Sequence, residues 1–203
     1  GLMVFAKTPK AAAELSRQVT QSQNAYAVQD GRAEGRAEAP QFVKQYRAVI
    51  AGGPDERLPE GGTLRDYLFK DSRKGRVFPV SRPRKGVREA VLEYRILQTA
   101  GENSLTEITL HTGRTHQIRV QFAHAGFPLL GDTKYGMAAL KEAMPAQKYR
   151  GVALCAYSLE LVHPISGKKM GFRVVPKNPV FAGFAMKELK KLTENETGIS
   201  KRG

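Results

Sequence analysis

From Ala90 to Leu110 the sequence is built to be an antiparallel pair of strands. Leu105, Glu107 and Thr109 interleave with Thr106, Ile108 and Leu110, a period of two that suits a pleated strand with two different faces. The connection Ala100 to Asn103 contains Gly101 and is short enough for a hairpin. The same signals recur along the chain. Phe42 to Ala51 alternates and is ended by Gly52-Gly53-Pro54-Asp55. Val152 to Val162 and Lys169 to Val175 flank Pro164-Ile165-Ser166-Gly167. Leu2 to Ala6 reads as a short, buried apolar strand. Leu64 to Phe69 is a short element whose type the pattern does not decide.

The helical signals are sparser. Thr8 is placed to cap a helix that has Pro9 in its first turn and runs to about Gln21. Thr115 to Ala125 places Ile118 and Phe122 on one face and stops at Gly126. Met137 to Met144 is a further short helix, and Asn178-Pro179 opens a last one through Ala182, Ala185 and Leu189. Ser22 to Gln41, with the near-repeat Gly31 to Pro40, reads as loop, as does the basic, Pro- and Gly-punctuated stretch Arg73 to Arg88. No regular alternation of strand and helix is present. The expected fold is therefore α+β: a mixed, mainly antiparallel sheet with short flanking helices.

Charge narrows the choice of partner. Lys and Arg number 33 against 19 Asp and Glu, for a net charge of +14. Such an excess draws in polyanions over long range, which favours nucleic acid over a membrane surface. No apolar run is long enough to span a bilayer. The single cysteine, Cys155, excludes an internal disulfide and a Cys-rich metal site, and sits in an apolar run as a small core residue. Lone thiol usage fits a reducing, cytoplasmic setting.

Leu110 to Gly136 carries the chemistry. A strand ends at Leu110, His111-Thr112-Gly113-Arg114 turns, and a helix follows. That junction points free backbone N–H groups and the positive end of a helix dipole outward, which suits phosphate or carboxylate. Arg114 lies beside it. His116 and Arg119, three apart, are expected on one helical face with Ala123. A tight Gly-pinned loop, Gly126 to Gly136, follows, with Asp132 read as a turn former after Gly131.

Read in order, Thr112-Gly113-Arg114-Thr115-His116-Gln117-Ile118-Arg119 and then Gly126-Phe127-Pro128-Leu129-Leu130-Gly131-Asp132-Thr133-Lys134-Tyr135-Gly136 resemble the last motif of RluA-type pseudouridine synthases, T-G-R-[ST]-H-Q-[IL]-R with G-x-P-[IL]-x-G-D-x-x-Y-G. Lys44-Gln45-Tyr46-Arg47-Ala48-Val49-Ile50-Ala51-Gly52 resembles the family's K-x-Y-x-A-x-[VI]-x-G, with Ile50 one step off the hydrophobic slot. Gly1-Leu2 matches the end of H-R-L-D-x-x-T-S-G-L.

The resemblance implies a catalytic domain over 1–192, a flexible tail over 193–203, and isomerisation of specific uridines in structured RNA, with ribosomal RNA ahead of transfer RNA as the substrate. It implies Arg119 as the partner of the catalytic aspartate and Tyr46 as the ring that stacks on the target base. Arg114, His116 and Gln117 would contact RNA or brace the loop. Lys134 and the basic residues Arg82, Arg84 and Lys85 would grip phosphates, together with Lys148. No metal and no cofactor are implied, and a monomer is expected. The aspartate itself belongs to the motif of which only Gly1-Leu2 is present, so the chain reads as truncated at its start, and residues 1–203 alone are expected to be inactive. Two other readings are weighed: a non-catalytic RNA-binding protein, and an RNA-cleaving enzyme using His111, His116 or His124, which lack a paired nucleophile.

Overall fold

A computed structural model describes residues 1–29, 31, 41–136 and 151–184. The elements run α1 (Pro9–Gln29), β1 (Val43–Ala51), β2 (Gly61–Asp71), β3 (Arg76–Val80), β4 (Val87–Ala100), β5 (Asn103–Leu110), α2 (Gln117–His124), β6 (Leu154–Val162) and β7 (Lys169–Arg173), followed by a 3-10 turn over Pro179–Gly183. The strands form one seven-stranded sheet in the order β3-β2-β4-β5-β1-β6-β7. Each pairing between these strands is antiparallel. The fold is α+β, with the helices laid against the sheet.

Alternation along β1 divides the core between the two faces of the sheet. Ala48 and Ile50 belong to one cluster with Leu92, Ile108, Phe127, Leu129 and the α2 residues Ile118 and Phe122. Val49 and Ala51 belong to another with Cys155, Tyr157, Phe181 and Phe184. Cys155 is a buried free thiol packed as a small apolar residue. A third cluster, of Leu68, Val77, Ala90 and Val120, joins α2 to the β2–β3 end of the sheet.

Several elements differ from the sequence-based expectation. Thr8 does cap α1, its hydroxyl oxygen accepting from the Ala11 amide at 3.2 Å. The helix then continues to Gln29, past Gln21. Tertiary contacts hold the extra turns, as expected for a polar segment of modest propensity. Buried Gln18 bonds both backbone groups of Val162, at 2.8 and 3.0 Å. Ser22 accepts from the Phe42 amide, and the Tyr26 ring stacks on His111 with centroids 3.5 Å apart.

Leu2 to Ala6 is neither a strand nor buried. Leu2 donates to the Ala156 carbonyl at 2.8 Å, but Met3 and Phe5 are 72% and 78% exposed. β6 already has β1 and β7 as its ladder partners, so the segment builds no ladder there. The basic stretch Arg73 to Arg88 is not one loop. Val77 is buried and Arg76–Val80 pairs with Tyr67–Asp71 as the edge strand β3. Pro79 is tolerated because an edge strand has one side without ladder bonds.

The 3-10 turn has Asn178 as its cap, accepting from the Val180 amide at 3.0 Å. The Met137 to Met144 helix, Lys148, the continuation through Ala185 and Leu189, the tail, and most of the Gly31 to Pro40 repeat lie outside the described residues. Among the described residues no helix is long and apolar enough to cross a membrane.

The α2–sheet contact is the joint that positions the site. Phe122 is fully buried, its ring edge-on to Tyr94 at 5.7 Å. Phe122→Ala is expected to cost about 4 kcal/mol through lost burial and the cavity left behind. Urea denaturation monitored by circular dichroism measures it.

Candidate active site

The turn between β5 and α2 is tied to β4 chiefly at Val91. The amides of His111 and Thr112 both donate to the Val91 carbonyl, at 3.1 and 3.3 Å. The Val91 amide in turn donates to the Thr112 hydroxyl oxygen at 2.9 Å. That hydroxyl donates to Gln117 Oε1 at 2.8 Å, and the Arg114 amide donates to the same oxygen at 3.0 Å. Gln117 Nε2 completes the set by donating to the Val91 carbonyl at 3.1 Å. Gln117 is 2% exposed and all its polar atoms are engaged. Of the two roles expected for it, RNA contact or loop brace, these are the bonds of a brace.

Arg114 reaches back to β4 as well, its Nε donating to the Glu89 carbonyl at 2.9 Å. His116 does not share a helical face with Arg119 and Ala123. It precedes α2 and has φ 54°, the only non-glycine residue with positive φ among those described. Its Nδ1 lies 2.8 Å from the Tyr135 hydroxyl. Burial first, and then the positive charges of Arg119 and Lys134, push the imidazole below its ordinary pKa.

Arg119 projects from the first turn of α2. Its Nε and Nη2 donate to the two carboxylate oxygens of Asp132, both at 2.7 Å. This bidentate, charge-assisted pair fixes the plane of the guanidinium. The Asp132 side chain is fully buried, and Arg119's is 19% exposed. Asp132 also forms the turn expected of it, accepting from the Lys134 and Tyr135 amides at 3.0 and 2.9 Å. Burial pushes its carboxyl up. The Arg119 hydrogen bond and the two amides outweigh burial and hold it below the usual carboxylate range. The Arg119 guanidinium also lies 5.0 Å from the Tyr135 ring centroid.

Tyr46 stands on β1, paired with Ile108 and Ala156. With Lys44, Leu110, Thr112, Gly113, Tyr26 and His111 it lines a cavity of about 290 Å3 between α1 and the sheet. The Lys44 ammonium is 5.4 Å from the Tyr46 ring centroid. The Thr112–Arg114 loop runs from the cavity that Tyr46 lines to the helix that carries Arg119.

Lys134 lies beside Tyr135, its ammonium donating to the Gly75 carbonyl at 2.5 Å. Arg82, Arg84 and Lys85 are exposed in the β3–β4 connection, with Arg84 lying 5.4 Å from the Phe69 ring centroid. No group of three or more His, Cys, Asp or Glu side chains among the described residues could hold a metal ion.

A family profile described as RNA pseudouridylate synthase matches residues 1–124, a span that includes Tyr46 and the motif loop through Arg119. The chain belongs to the RNA pseudouridylate synthase family. It is 31% identical over 206 residues to ribosomal large subunit pseudouridine synthase D of Vibrio cholerae, covering 97% of this chain and 55% of that protein. It is 31% identical over 185 residues to an RNA pseudouridine synthase of Chlorobaculum parvum, covering 85% and 50%. The chain thus spans about half the length of the curated relatives it matches. In fold it is similar to human RNA pseudouridylate synthase domain containing 1, with a TM-score of 0.56, 21% identity, and coverage of 88% of this chain and 72% of that one.

Within this synthase fold, the sequence places Arg114, His116, Gln117 and Arg119 on or beside one loop and Tyr46 on a separate strand. Sequence reasoning missed the carboxylate that holds Arg119. Asp132 was assigned only to its turn, although the Gly131-Asp132 spacing returns the carboxylate to α2. Tyr135 was missed too, and its place in the motif was the available signal.

The brace is directly testable. Gln117→Glu exchanges the donor facing the Val91 carbonyl for an acceptor and is expected to destabilise the fold by about 2 kcal/mol. Thermal unfolding reads the loss, and a variant as stable as the parent would remove Gln117 from this role.

Proposed function

We propose that this chain supplies the base-holding and arginine-bearing part of an enzyme that isomerises uridine to pseudouridine in structured RNA, ribosomal RNA ahead of transfer RNA. The observation that carries this reading is the motif loop. It is braced on Val91, opens onto a cavity lined by Tyr46 at one end, and delivers a rigidly held Arg119 at the other. The relatives named for the ribosomal large subunit favour ribosomal RNA.

The reaction breaks the N1–C1′ bond, turns the uracil, and forms a C5–C1′ bond. N1 gains a proton and C5 releases one, so the product has the mass of the substrate. The target base must leave its stack to reach such a cavity. Tyr46 stacks on the extruded uracil. Arg119 engages Asp132 through Nε and Nη2, which leaves Nη1 with two N–H donors for the catalytic carboxylate that the family resemblance provides. A guanidinium held there keeps that carboxylate ionised and aimed. Asp132 is not that carboxylate, because it is buried and fully bonded. Arg114 and His116 contact the RNA at the loop, and Arg82, Arg84, Lys85 and Lys134 contribute phosphate contacts around it.

The test uses RNA tritiated at C5 of uridine and a protein that joins the family's aspartate motif to Gly1. Tritium release with an uncut strand of unchanged mass is expected. Arg119→Gln should slow the single-turnover rate about 100-fold through lost positioning. Strand scission, or RNA binding without tritium release, would contradict the proposal.

A further inference from the structure

Three cations collect around one ring in the motif loop. The Arg119, Arg76 and Lys134 charges lie 5.0, 5.5 and 6.0 Å from the centroid of Tyr135. Among the described residues, the carboxylate at this ring is Asp132, which is fully buried and bonded to Arg119 and two amides. The Asp71 carboxylate caps the β2–β3 turn, accepting from the Arg73 and Lys74 amides at 3.0 Å. Gathering like charges this closely is unfavourable unless an anion sits among them.

The cations are also fixed in place. The Val77 amide on the β3 edge donates to the Tyr135 hydroxyl at 3.1 Å. Arg76 donates to the Lys134 carbonyl, and Lys134 donates to the Gly75 carbonyl. Three bonds therefore clamp the β2–β3 hairpin to the loop that holds Arg119. The Tyr135 hydroxyl accepts from Val77, so its own hydrogen can go to His116 Nδ1. That tautomer puts the imidazole N–H on Nε2, facing away from Tyr135.

Resting on the reading above, we propose that Arg76 and Lys134, arrayed around Tyr135 with His116 Nε2, form a site for an RNA backbone phosphate beside the target nucleotide. The partner is a polyanion that crosses the β3 edge of the sheet. The clamp fixes the distance from that phosphate to Arg119, so the hairpin acts as a ruler for which nucleotide enters the cavity.

The test is fluorescence anisotropy of a labelled, uridine-containing RNA hairpin titrated across salt concentrations. Arg76→Gln and Lys134→Gln should each flatten the slope of log K against log salt by about 0.7 to 0.9. Lys168→Gln with Lys169→Gln, at the opposite edge of the sheet, should leave it unchanged. A methylphosphonate scan of the same RNA then locates the phosphate: neutralising one position should weaken the parent protein and leave Arg76→Gln/Lys134→Gln unaffected. Unchanged slopes in the hairpin variants, or losses that add at every methylphosphonate position, would overturn the site. These are binding readouts, so a protein with the aspartate motif joined to Gly1 that binds as expected but releases no tritium would refute the isomerase reading and not this one.

Discussion

The Arg119–Asp132 pair is the constraint around which the site is arranged. A guanidinium in the first turn of a short helix would ordinarily sweep through many rotamers. Two parallel hydrogen bonds to a buried carboxylate reduce it to one plane. The carboxylate is itself immobile because the Lys134 and Tyr135 amides complete its coordination. The result links α2, the Gly131–Gly136 turn and, through Tyr135, the edge strand β3. A buried ion pair of this kind adds little to net stability compared with apolar packing. Its value here is orientation.

Around that pair the sheet acts as scaffold. β4 supplies Val91 as the anchor of the motif loop and Glu89 as the anchor of Arg114. β1 carries Tyr46 on the face that packs against α2, with Ala48 and Ile50 following it into the core. α1 closes the cavity from the other side, held by Gln18 on β6 and by the Tyr26–His111 stack. Among the described residues, Arg76, Arg119 and Lys134 bring part of the positive charge evident in composition together around Tyr135.

Much of this was legible in the residues. Period-two alternation in β1 and β5 marks strands whose two faces meet different surroundings, and the antiparallel pairings of β4 with β5 and of β6 with β7 follow from short turns. The Thr8-Pro9 start of α1 and the Asn178 cap are local chemistry, readable without a fold. What was missed depended on distant partners. The end of α1 is set by Ser22 and Tyr26 meeting Phe42 and His111. β3 was hidden because Pro79 and its basic neighbours read as loop, and only pairing with β2 makes it a strand. The left-handed His116 breaks the helical register that spacing alone gave it, so its partner is Tyr135 and not Ala123. Leu2 to Ala6 looked buried by composition, yet composition cannot say whether a sheet edge is open to receive it.

The claim that Arg119 and Asp132 act as a unit is most directly tested by a double-mutant cycle on stability. Arg119→Gln, Asp132→Asn and the double variant are unfolded in urea and compared with the parent. The account predicts that each single change leaves a polar partner stranded and that the double change costs much less than their sum, with a coupling of about 2 kcal/mol. Additivity to within about 0.5 kcal/mol would mean the two groups are independent and would contradict it.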